Sequence, residues 1–313
     1  MRKILIVLTL MCICQTVFGQ NSEIKMCINK YDVWKAIKDI PKNTPVEFWK
    51  AVVDNNNRVK SIMKALDKED KTLLESMNAI DYFFSNANIK ENTTFKYHME
   101  GRKLFRDLGV ERVLEKQPVK FIINDDLNAN MDAVGQMRIY TGCMDRLSYE
   151  ELLAVCAHET AHFMCQHVLS RIWKSAKKEK RNKMWADIGA SLFIGTMAAT
   201  SGYAGANGQD VTHFNNIIAN ADIIYYGAYD YANDASLNYE YRYNRDEEAE
   251  ADIIAYRFME YMGYETNIWL SVLRKIAKDD GRTTLKADKK EDHPTPAFRI
   301  KMIEMMQSGY KGK

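Results

Sequence analysis

Two histidines four residues apart bracket a glutamate at His158-Glu159-Thr160-Ala161-His162, and this spacing constrains the chain more than any other feature it carries. Side chains four apart share one face of a helix, so both imidazoles reach a single ion only if the segment is helical. The glutamate between them then projects beside that ion, placed to take a proton from a water. Zinc suits such a site, because three protein ligands leave it an open position. Ser148-Tyr149-Glu150-Glu151 is a capping box and starts this helix near Tyr149. Leu152, Leu153, Val155 and Cys156 make its first half apolar almost all round, which predicts a buried central helix running past His167 towards Ser170.

Two histidines leave zinc short of a protein ligand, and a carboxylate oxygen suits the vacancy. The second strong helix opens at Asn244, an N-cap with Glu247 three residues on, and stops at Gly263. Glu248 and Asp252 lie one turn apart on one of its faces. Glu248 is the candidate third ligand, and Asp252 is placed to accept the free ring N–H of His158, fixing its tautomer and aim. Complementarity with the helix dipole accounts for Asp246 and Glu247 at the acidic start. It does not account for Asp252 among Ile253, Ile254 and Ala255.

Before the metal helix, Val119 to Ile123 is a strand candidate, and Gly135 introduces a second from Gln136 to Thr141. That second strand is read as a sheet edge able to pair with an extended peptide. The polar run Asp125 to Asp132 between them is no calcium loop. Met131 stands where such a loop needs glycine, and Met137 where it needs a bidentate glutamate. Trp34, Ile37, Ile40, Phe48, Trp49, Val52, Val53, Leu66, Leu73, Leu74, Met77 and Ile80 recur at helical spacing, so the first part of the chain reads as a helical layer without a chemical motif. The basic stretch from Arg171 to Lys183 reads as a solvated helix face. Residues 188–206 are small and apolar, and read as a buried helix or a flap, with membrane contact the second option.

These ordered motifs together resemble the gluzincin zinc metallopeptidase family of the CAAX prenyl protease, HtpX and BepA. The resemblance covers about residues 116–305. It rests on the HExxH, on Glu248-Ala249-Glu250-Ala251-Asp252 as the later Glu-x-x-x-Asp, on Thr141-Gly142, on His167, and on His293-Pro294 followed by Arg299-Ile300. It implies that Glu159 is general base and proton donor, and that His158, His162 and Glu248 hold one zinc ion. It also implies that His293 lies near the reaction centre, steadying an oxyanion or occupying the fourth zinc position. Arg299 is expected to order its segment through a salt bridge. The family's Asn-Ala-Phe segment, which lies against substrate, appears as Asn128-Ala129-Asn130 without its aromatic. The nearest branch is the soluble, exported, BepA-like one without a tetratricopeptide region. His167 should be structural, being well off the metal-facing side of a continuous helix. His98 and His213 have no motif context.

The expected fold class is therefore α+β and mostly helical, a zincin-type metallopeptidase core with a small β-sheet and an N-terminal helical region. The expected divisions are 1–19 as a signal peptide, 20–115 as the helical region, 116–308 as the metallopeptidase domain and 309–313 as a tail. Met1-Arg2-Lys3, the apolar run from Ile4 to Phe18 and Val17-Phe18-Gly19 before Gln20 read as a signal cut after Gly19, giving a periplasmic or secreted bacterial protein. Its removal takes Lys plus Arg from 44 to 42, level with 42 acids, so no nucleic-acid partner is implied. Cys27, Cys143, Cys156 and Cys165 remain, and the sequence does not choose among their three pairings. The expected partners are protein or peptide substrates, with peripheral membrane contact the second option and no stable partner inferable. The competing reading is a zinc-dependent, chaperone-like binding module with little proteolysis.

Overall fold

The computed structural model describes residues 21–85, 95–110, 119–131, 135–179, 245–279 and 295–312. The expected signal peptide, the 188–206 segment, Asn244, His213 and His293 lie outside the described residues. The fold is α+β and mostly helical, with one small mixed sheet. Its described elements in chain order are α1 (21–31), α2 (Trp34–Ile37), α3 (Pro45–Asn55), α4 (Asn57–Leu66), α5 (Lys71–Ser85), α6 (Phe95–Leu108), β1 (Lys120–Ile122), β2 (Ala129–Met131), β3 (Met137–Tyr140), α7 (Thr141–Arg146), α8 (Tyr149–Met164), α9 (His167–Glu179), α10 (Arg245–Tyr261), α11 (Asn267–Asp279) and α12 (Pro296–Gln307).

Helix α8 begins where its capping box sets it. Ser148 Oγ accepts the Glu151 N–H at 3.2 Å, and Glu151 Oε2 accepts the Ser148 N–H at 2.9 Å. Glu151 also takes Lys275 Nζ at 2.6 Å and Ser271 Oγ at 2.8 Å, so the cap ties α8 to α11. The apolar first half is buried throughout, and α8 lies in the middle of the core between α10, α11, α6 and β2. Burying Leu152, Leu153 and Val155 contributes roughly 1.5–3 kcal/mol each.

The helix does not continue to Ser170 as the sequence suggests. It ends at Met164, and a tight turn follows in which Gln166 sits at φ 54°. Helix α9 then sets off afresh at His167. No glycine or proline marks this break. A left-handed residue costs roughly 1–2 kcal/mol outside glycine, and the Phe163 carbonyl offsets part of that by accepting both the backbone and side-chain N–H of Gln166 at 2.9 Å.

The sheet has the order β1-β3-β2, with β1 parallel and β2 antiparallel to β3. Strand β3 is therefore central and not the expected edge; the edge beside α8 is β2, three residues within what reads as a polar loop. Its alternation is too short to register in the sequence. Asn130 Oδ1 accepts from Arg138 Nη1 at 3.3 Å, while Ala129 and Met131 sit buried on the other face. After Tyr140 the chain turns directly into α7, so Thr141 belongs to a helix.

Gly142 is needed for a close approach. A Cβ there would lie 2.1 Å from the Asp125 carbonyl oxygen, and its own N–H donates to Asn124 O at 2.8 Å. Gly142→Ala is expected to cost about 1–3 kcal/mol through forced displacement of the 124–126 backbone. Urea unfolding checks this, and an unchanged midpoint would contradict it.

The N-terminal helices pack on this core. Phe48 and Trp49 of α3 meet the Phe258 ring at 5.2 and 5.3 Å. Arg257 is clamped on Asp32 by two hydrogen bonds of 2.8 and 2.7 Å. Leu74 and Met77 follow the apolar spacing of α5 yet remain exposed. Basic α9 is only partly a solvated face: Ile172 and Trp173 join Leu73 and Ile80 of α5 in a second core, and Arg171 meets buried Glu247 at 3.3 Å.

Candidate metal centre and active site

Three side chains converge from two crossing helices. His158 and His162 come from α8, with Nε2 atoms 3.1 Å apart, and Glu248 comes from the first turn of α10. Glu248 Oε2 is 3.5 Å from His158 Nε2, and its Oε1 is 3.4 Å from His162 Nε2. One ligand atom from each of the three lies within 4.8 Å of the other two, all on buried residues. Two imidazole nitrogens and one carboxylate oxygen form a donor set that fits zinc. The residues around them fix their aim.

Asp252, fully buried one turn after Glu248, places Oδ1 3.0 Å from His158 Nδ1, off the axis of an ideal N–H bond. Arg299 of α12 holds that carboxylate with two hydrogen bonds of 2.8 and 2.7 Å, and reaches Glu248 at 3.7 Å. Trp269 of α11 stacks on the His158 ring with centroids 5.2 Å apart. Trp269 reads as an ordinary apolar helix residue in the sequence, and nothing there singles it out. Glu159 Oε1 is 4.0 Å from His158 Nε2, and its Oε2 accepts the Met131 N–H at 3.2 Å. The carboxylate thus spans the gap between the ligand cluster and strand β2.

The Tyr140 N–H donates to Asn128 O at 3.1 Å, so 128–140 and 130–138 are the hydrogen-bonded pairs of the β2–β3 ladder. The backbone groups of Ala129 and Met131 therefore point away from β3. Asn128, Ala129 and Asn130 all sit at this edge, the Asn130 side chain turned onto Arg138.

The acids at the start of α10 do more than complement a dipole. Asp246 takes Lys30 at 2.7 Å and Tyr31 at 2.9 Å. Glu250 is 5 % exposed and joins a cluster with His167, Arg58 and Asn56. His167 stands off the side that faces Glu248, as expected, but the turn at Cys165–Gln166 folds it back behind His162, with its Nδ1 2.7 Å from His162 Nδ1, a contact that a continuous helix would not make. Cys27, Cys143, Cys156 and Cys165 are free thiols, and burial pushes Cys143 up to about 12.

A family model described as Peptidase family M48 matches residues 96–307. The chain belongs to peptidase family M48. Within 191 residues this M48 chain is also 28% identical to Metalloprotease LoiP of Escherichia coli (strain K12). That alignment covers 60% of this chain and 62% of the relative, less than two-thirds of its length.

Burial pushes the His158 imidazole of this M48 site down, but its contacts with Asp252 and Glu248 outweigh that and lift it from the ordinary 6.5 to about 9. Burial lifts Glu159 from 4.5 to about 7 against the pull of His158. Both shifts act in the same direction. The raised histidine stabilises the metal-stripped fold below pH 6.5, and that stability is lost as pH rises through about 9. The raised acid keeps a proton that the unfolded chain has given up, so stability falls as pH climbs from 4.5 through about 7. Metal-stripped protein should therefore lose stability on the order of a few kcal/mol between pH 5 and pH 9. Urea midpoints across this window test it. A flat or rising profile would contradict it, and Glu159→Gln should flatten the part below pH 7.

Proposed function

We propose that this chain is an exported zinc-dependent metalloendopeptidase that hydrolyses peptide bonds of envelope or secreted proteins. The observation that carries the reading is the meeting of His158, His162 and Glu248 around one point, with Glu159 bridging from there to a sheet edge. His158, His162 and Glu248 would hold one zinc ion, whose chemistry when bound is to polarise the scissile carbonyl and acidify the attacking water. The reaction's other parts belong to the chain. Glu159 takes the proton of that water and returns it to the departing amine. Asp252 and Arg299 keep the His158 ring aimed. An extended substrate adds to β2 as another strand, held by the outward backbone groups of Ala129. Recognition through backbone favours unfolded segments, which supports a place in protein quality control.

Export is supported by Met1-Arg2-Lys3 and the apolar run that follows them. No helix among the described residues is long and apolar enough to cross a membrane. Fractionation of a bacterial expression strain, with N-terminal sequencing of the exported form, should give a chain that starts at Gln20. Retention in the cytoplasm would remove the export part.

The activity is tested by stripping the metal with a chelator and adding back zinc. Hydrolysis of an unfolded protein such as casein should vanish, and return with about one equivalent of zinc per chain. Hydrolysis that survives complete stripping would sink the proposal. So would a zinc-loaded chain that cleaves no unfolded protein, an outcome that would favour the binding-module reading.

A further inference from the structure

His167 and Glu250 lie directly behind His162, on the side away from Glu248. His162 Nδ1 is 2.7 Å from His167 Nδ1, His167 Nε2 is 3.1 Å from Glu250 Oε2, and both rings are buried. Glu250 Oε2 is in turn 3.0 Å from Arg58 Nη1, and its Oε1 accepts from Asn56 Nδ2 at 2.8 Å. On a continuous helix five residues of separation would put His167 roughly 140° round from His162. Only the left-handed turn at Gln166 makes the two rings neighbours.

We propose that His167, Glu250, Arg58 and Asn56 form a two-step positioning relay that fixes the tautomer and direction of His162. This rests on the reading of His162 as a metal ligand through Nε2, the nitrogen that faces Glu248 and His158. A neutral ring that offers the Nε2 lone pair carries its proton on Nδ1. His167 Nδ1 must then accept, which leaves its proton on Nε2, aimed at the Glu250 carboxylate. The opposite assignment puts a lone pair of His167 against a carboxylate oxygen and a proton of His162 into the ligand position. A doubly protonated His167 would set N–H against N–H. Among neutral rings only one arrangement satisfies both the His162–His167 and the His167–Glu250 contacts.

Cys165, His167 and Glu250 also bring ligand-type atoms within 4.8 Å of one another. A second cation is nevertheless disfavoured there. The Arg58 guanidinium already supplies the positive charge beside Glu250, and an ion on His167 Nε2 would drive its proton to Nδ1, against the Nδ1 proton of His162. The two α8 ligands are thus oriented differently: a carboxylate faces His158 directly, while His162 meets one through an intervening neutral imidazole. The far end of this relay sits in the N-terminal layer, since Asn56 is the N-cap of α4.

The test uses the full chain labelled with 15N-histidine. In the metal-stripped wild type, long-range 1H–15N spectra should place the His162 proton on Nδ1 and the His167 proton on Nε2. A His162 proton on Nε2 would overturn the relay, whatever the enzyme's activity. Zinc affinity, from competition with a chelator, should fall about 10- to 100-fold in His167→Phe. His167→Asn, whose amide oxygen can replace the Nδ1 acceptor, should recover most of it. Equal loss in both variants, or none in either, would overturn the proposal. Two zinc ions per wild-type chain and one in His167→Phe would instead make the cluster a metal site. Failure of wild type to bind zinc would defeat the proposed function, and the tautomers would still decide the relay.

Discussion

Glu159→Gln is expected to slow peptide-bond hydrolysis by about 10²–10⁴-fold while the chain still takes up zinc. The substitution preserves shape. A glutamine oxygen can still accept the Met131 N–H, so the link between α8 and β2 should survive. What is lost is the acceptor for the water's proton. Zinc uptake should be unchanged, because Glu159 stands outside the trio of converging donors, with its nearer oxygen 4.0 Å from His158 Nε2. Removing a carboxylate that burial already disfavours should leave the fold as stable above pH 7, or more so. Hydrolysis and zinc content measured on one preparation check both halves. Activity within tenfold of wild type would mean that Glu159 is not the base. The same variant should hold substrates that it cannot cut, so the proteins recovered with it from an expressing strain would report the substrate class.

Arg299→Ala should be the most damaging single change to the frame around the site. Asp252 has no exposure, and two of its contacts come from this guanidinium at 2.7 and 2.8 Å. Deleting one partner of a buried ion pair leaves the other charge uncompensated, at a cost of about 3–5 kcal/mol. Asp252, released from that fork, would then hold His158 less firmly. Zinc affinity should fall about 10- to 100-fold as a consequence. Arg299→Lys should restore only part of both losses, because an ammonium cannot reproduce the forked contact with Nε and Nη2. Urea unfolding and chelator competition measure the two effects. A loss under 1 kcal/mol, with zinc affinity unchanged, would rule out this role for Arg299.

How much of this was legible in the sequence follows from how local each feature is. His158, His162, Glu248 and Asp252 were legible because each pair sits on one helix, and helical periodicity projects four-residue spacings onto one face. The start of α8 was legible because a capping box is a local exchange of hydrogen bonds. The contact of His167 with His162 was missed because it depends on a break at Cys165–Gln166, where neither glycine nor proline warns of one. Strand β2 was hidden in three residues, and its place at the edge depends on β3 pairing with β1, as Lys120 does with Arg138, which no local window shows. Glu250 stood only as an intervening position between Glu248 and Asp252, and its partners Asn56 and Arg58 are nearly two hundred residues away.

Asn56 uses its two ends for different purposes. Its Oδ1 accepts the backbone N–H groups of Arg58 and Val59 to begin α4, and its Nδ2 donates to Glu250 on α10. Through the proposed relay, one amide group would join the folding of the N-terminal layer to the setting of His162. Linkage of this kind is reciprocal. Whatever free energy the ordered layer adds to metal affinity, the bound metal returns as protection of that layer against local opening. Chelation should thus quicken amide hydrogen exchange at the start of α4, in a region that carries no chemical motif of its own.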